Sequence, residues 1–135
     1  MINKYDITEG EFTGQLVDKK RQGFGIMVYT NLDAPPLKDT KYEGEWLNDQ
    51  KSGQAKEFYQ NDKIRFDGFY KNDLRDGLGK AYFADGGVWY EGSWKSGQKH
   101  GEGVLYYPCS TLRYKGGFDS GFYSGKGELY HQTGQ

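Results

Sequence analysis

Large apolar residues fall on every second position over short stretches of this chain, give way to a charged segment, and then return. Thr40, Tyr42, Gly44 and Trp46 share one parity, while Lys41, Glu43 and Glu45 hold the other. The same division sets Ile64, Phe66, Gly68 and Tyr70 against Arg65, Asp67 and Phe69, and Val88, Tyr90, Gly92 and Trp94 against Trp89, Glu91 and Ser93. It returns once more with Leu112, Tyr114, Gly116 and Phe118 against Arg113, Lys115 and Gly117. Alternation with period two predicts a strand with one packed and one wet face. Each such strand leads into a polar segment of hairpin-loop length: Leu47 to Ser52, Lys71 to Asp76, Lys95 to His100, and Asp119 to Ser124. A second strand follows, opened by Gly23/Gly25, Gly77/Gly79, Gly101/Gly103 or Gly125/Gly127, with Ala55 at the second glycine site after Gly53.

These hairpins are copies of one unit. Gly44, Gly68, Gly92 and Gly116 are 24 residues apart, and each is followed nine residues later by Gly53, Gly77, Gly101 or Gly125. A fixed step of this size is the mark of a stacked repeat array. The predicted fold is therefore all-β, an elongated single-layer antiparallel sheet of hairpins with five units over residues 12–135. Residues 1–11 are read as an amino-terminal cap or partial repeat. The step from Gly14 to Gly44 is 30 residues, and the excess, with Pro35 and Pro36, predicts an inserted surface loop at 30–41. One hairpin cannot stand alone, so neighbours must stack. The expectation is that Tyr42, Trp46, Tyr90 and Trp94 of one unit fill the space above the glycines of the next.

Composition sharpens this picture. With 21 glycines and 23 aromatics (12 Tyr, 8 Phe, 3 Trp) the core must be aromatic and spread along the array. A net charge of −1 gives no long-range attraction to nucleic acid, and none is expected as a partner. The single cysteine, Cys109, excludes an intramolecular disulfide. The amino end has no apolar leader and no run approaches the ~18 residues of a membrane span, so a soluble protein of the cytosol or cytoskeleton is expected.

Reactive constellations are not apparent. The Gly-x-Gly pairs lack the third glycine and the following helix of a phosphate loop, and their recurrence marks them as structural. His100, His131 and Cys109 occupy different registers and do not compose a metal set. Glu43, Glu45, Asp67 and Glu91 are read as a charge ladder with Lys41, Lys115 and Arg113. No catalytic, cofactor or metal residue is assigned. Two features exceed a structural role. The position two before each turn-closing glycine holds Arg21, Lys51, Arg75 and Lys99, then Tyr123, which predicts a basic column down a solvated edge. Phe69 and Trp89 interrupt the polar face, where other units carry Glu45, Ser93 and Gly117, or Lys41, Arg65 and Arg113; both are candidate partner contacts.

Residues 90–107, YEGSWKSGQKHGEGVLYY, with the connecting Phe83-Ala-Asp-Gly-Gly, resemble the MORN repeat, and the resemblance extends over about residues 12–135. It departs from the motif at Leu16, in place of Trp, and at Ala55, in place of Gly. The resemblance implies a gently twisted sheet of successive hairpins without catalysis of its own. It also implies a scaffold that binds other proteins in a large cytoskeletal or ciliary complex. The alternatives are a phosphoinositide or membrane-binding module, disfavoured by the charge balance, and the targeting region of a longer enzyme. Association with a second copy stays open.

Overall fold

A computed structural model describes residues 3–30 and 41–131. Thr40 and all but the ends of the expected 30–41 loop lie outside these residues. The described chain forms one open antiparallel sheet whose 11 strands lie in sequence order. They are β1 (Asn3–Ile7), β2 (Gly10–Val17), β3 (Lys20–Tyr29), β4 (Lys41–Leu47), β5 (Gln50–Phe58), β6 (Ile64–Lys71), β7 (Leu74–Tyr82), β8 (Val88–Lys95), β9 (Gln98–Tyr106), β10 (Leu112–Asp119) and β11 (Phe122–Leu129). All-β architecture and stacked hairpins are thus as the periodicity predicts. Segment 3–7 extends the sheet as β1, with Tyr5 opposite Phe12.

The polar segments expected as loops are mostly strand. Each hairpin turns on two residues only, Asp18-Lys19, Asn48-Asp49, Asn72-Asp73, Ser96-Gly97 and Ser120-Gly121, all with positive φ between 48° and 89°. That backbone twist matches the twist of paired strands, and Asn, Asp, Ser and Gly tolerate it. The last four turns also dock on the preceding hairpin: the amides of Asp49, Asp73, Gly97 and Gly121 donate to the carbonyls of Arg21, Lys51, Arg75 and Lys99 at 2.8–3.0 Å.

The two glycines of each pair serve different needs. The first, Gly23, Gly53, Gly77, Gly101 or Gly125, is left-handed with φ between 65° and 106°, where the register between the two strands of a hairpin shifts. The second supplies space. A Cβ at Gly103 would lie 2.2–2.5 Å from atoms of the Tyr90 ring and hydroxyl, and one at Gly79 would meet Phe66 at 2.4 Å. These rings, each the first of its strand, thus cover glycines of their own hairpin and not a neighbour's as expected, because the ring leans along its strand toward the glycine two residues on. The expectation holds for Trp94, whose Nε1 lies 3.3 Å from a Cβ placed at Gly79 of the neighbouring hairpin. Tyr42, Tyr90 and Tyr114 are fixed there by hydroxyl donation to the carbonyls of Glu45, Ser93 and Gly117 at 2.8–3.0 Å.

What joins one unit to the next is the second aromatic of each strand. Trp46 and Trp94 reach back to donate Nε1–H to the carbonyls of Gly25 and Gly79. Edge contacts then run without a break through Phe12, Trp46, Tyr42, Tyr70, Phe66, Trp94, Tyr90, Phe118 and Tyr114, with centroids 4.9–5.6 Å apart. The core is this aromatic row, filled out by Met27, Tyr29, Ala55, Ala81 and Leu105, on one face of the sheet. The opposite face carries charges that alternate in sign across the strands, Glu43, Lys56, Asp67, Lys80 and Glu91, each directly opposite the next.

Candidate functional site

Both faces carry groups that the stacking does not use, and the cations come first. Arg21, Lys51, Arg75 and Lys99 do form a column, but it runs over the aromatic row and not along a solvated edge. The two-residue turns set Leu16 opposite Arg21, Trp46 opposite Lys51, Tyr70 opposite Arg75, and Trp94 opposite Lys99. Each cation lies over rings: Arg21 is 4.1 Å from Trp46, Arg75 is 4.2 Å from Phe66, Lys51 is 5.1 Å from Tyr42, and Lys99 is 4.4 Å from Trp89. At the last hairpin Tyr123 takes the cation's place and stacks on Tyr114 at 4.1 Å.

Anionic neighbours divide the column. The Arg21 side chain is buried, and its Nε donates to Asp49 Oδ1 at 2.6 Å, with Glu9 at 3.8 Å. Partial burial of Asp49 works against its charge, yet the hydrogen bonds from Arg21 outweigh that and hold the carboxyl below its usual range. Arg75 meets the buried Glu57 at 3.5 Å, and Arg65 approaches the same carboxylate at 4.0 Å. Burial, followed by the field of Glu57, pushes the Tyr42 hydroxyl well up. Lys99 has no carboxylate within ion-pair distance among the described residues, and its ammonium is held below the usual lysine range by burial, then by Arg113 and Arg75.

Trp89 is not on the polar face. Ala81 pairs with Tyr90 and Tyr82 with Val88, so Trp89 is the extra residue of a bulge, and the alternation that would have sent it outward is broken. It packs against the aromatic core beneath Lys99. Arg65 and Arg113 occupy the same bulge position in their units. Phe69 does lie on the polar face, 44% exposed, and lines a cavity of about 340 Å³ with Leu78, which is 65% exposed. Phe24, 58% exposed, shares that face. Sequence reading missed Leu78 and Phe24; their position as the middle residue of Gly-x-Gly was the available signal.

Elsewhere the chemistry is sparse. His100 pairs with Asp119 at 3.5 Å, and Cys109 is exposed with its Sγ 3.0 Å from Thr111 Oγ1. No three metal-ligating side chains converge among the described residues.

A one-layer sheet of stacked hairpins, with an aromatic row under cations on one face and alternating charges on the other, is a repeat array. The family model for the MORN repeat matches residues 12–33, 42–63, 66–88, 90–108 and 114–135, and the chain belongs to that family. No curated protein matches the chain. MORN repeats generally mediate protein or membrane interactions and are typically non-catalytic.

Proposed function

We propose that this chain is a non-catalytic scaffold that binds another protein, within a larger cytoskeletal or ciliary assembly; the assembly rests on the company MORN arrays keep. The observation that carries the binding role is the exposed apolar pair Phe69 and Leu78, with Phe24 beyond Glu45 and Gln54, on a face otherwise built of alternating charges. Exposed apolar side chains rimmed by charge are what a partner surface covers. Two of the four column cations, Arg21 and Arg75, are engaged by carboxylates, which leaves the column a weak membrane attractant.

Affinity purification from the source cells tests this reading. The wild-type chain is expected to recover a stable partner, and Phe69→Ser/Leu78→Ser to lose it with thermal unfolding unchanged. A chain that purifies as a monomer with no partner would contradict it.

A further inference from the structure

The column of cations is built differently at its carboxyl-terminal end. Where Arg21 is held, the second turn residue of the next hairpin is Asp49; the corresponding residue facing Lys99 is Gly121. Where Arg65 and Arg75 converge, the residue between Tyr42 and Phe66 is Glu57; the corresponding residue between Tyr90 and Tyr114 is Leu105. Neither position carries a carboxylate here: around Leu105, Arg113 stands where Arg65 does and Tyr123 where Arg75 does, and Lys99, the preceding cation of the column, faces the same space.

These two cations open onto a cavity of about 350 Å³, walled by Trp89, Leu105, Phe118 and Tyr123. No acidic side chain lies within ion-pair distance of either among the described residues; each instead rests over a ring, Lys99 over Trp89 and Arg113 over Tyr107. A half-buried ammonium whose charged neighbours are arginines is electrostatically incomplete, and an incoming anion would restore what Asp49 and Glu57 provide in the earlier units. The aromatic walls offer an apolar group its own contact, and the volume falls in the range of small-ligand sites.

We propose that this cavity is the recognition site for an acidic, partly apolar segment of a partner protein. A carboxylate is held between Lys99 and Arg113, and the adjoining aromatic or aliphatic side chain packs on Trp89, Phe118 and Tyr123. The inference rests on the scaffold reading and names the chemistry of the partner on the aromatic face.

Titration of the full chain by NMR with N-acetylphenylalanine and with N-acetylphenylalaninamide tests it, since the two probes differ only in the carboxylate. The acid is expected to shift the Trp89 indole and the Lys99, Arg113 and Tyr123 signals saturably, and to bind at least tenfold more tightly than the amide. Lys99→Met and Arg113→Met should each weaken the acid at least fivefold with the rest of the amide spectrum unchanged. Equal binding of acid and amide, shifts confined to other residues, or undiminished binding by both variants would overturn the proposal. So would saturable binding of inorganic phosphate, or of phosphatidylcholine vesicles containing phosphatidylinositol bisphosphate, by a chain that ignores the acid. A chain that recovers its partner from cells yet ignores the acid overturns this inference alone; one that recovers no partner overturns the scaffold reading.

Discussion

Arg21 and Lys99 occupy the same position of the repeat at opposite ends of one aromatic row, yet they live in different surroundings. Arg21 is buried between Trp46 and Phe12 and bound by Asp49, so its charge is satisfied from within. Lys99 lies over Trp89 with arginines for charged neighbours. The contrast teaches that a repeated residue need not have a repeated role. Stacking dictates that something long and amphipathic covers the rings, and the variable turn and core positions decide whether its charge is spent inside the fold or left for a partner.

The largest effect expected breaks both ends at once. A Cβ at Gly92 would sit 2.6 Å from the Glu102 carbonyl oxygen and from the Gly103 Cα, both backbone atoms that cannot step aside. Gly92→Ala should therefore cost about 2–3 kcal/mol in urea unfolding. Gly101→Ala meets open space apart from Ser93 but forces a methyl-bearing residue to φ 81°, and should cost only about 1–2 kcal/mol.

Next comes the closed end alone. Arg21→Met keeps a side chain over Trp46 but removes the charged hydrogen bonds to Asp49, and a loss of about 2 kcal/mol is expected by the same measurement. A smaller effect follows from acid. Because the folded-state pKa of Asp49 is depressed, its contribution is present above about pH 4, the unfolded carboxyl range, and is lost as pH falls through the lower folded value. Stability measured from pH 6 downward should decline through that window in the wild type, and Asp49→Asn should remove this part of the decline.

Much of this was legible in the residues themselves. The step of 24 gave the hairpins, and parity placed Tyr42, Trp46, Phe66, Tyr90 and Trp94 on the buried face where they lie. Parity failed at Trp89 because a bulge inserts one residue without any change in composition, and counting by two then runs on past it. It also could not say whose glycines a ring covers, since own and neighbouring pairs recur at the same interval. The column of cations was visible as a column, but its placement needed the turns to be two residues long. Asn48-Asp49, Asn72-Asp73 and Ser96-Gly97 carried that information, because such pairs accept two successive positive φ values. Counting outward from them sets Lys51, Arg75 and Lys99 each opposite an aromatic.

Urea unfolding of Lys99→Met, run beside the wild type and Arg21→Met, addresses the division of the column most directly. Burial disfavours the Lys99 charge, and the methionine keeps the contact with Trp89, so stability is predicted to stay within about 0.5 kcal/mol of the wild type or to rise. A loss matching that of Arg21→Met would show Lys99 to be as much a part of the folded core as its counterpart, and would contradict the account.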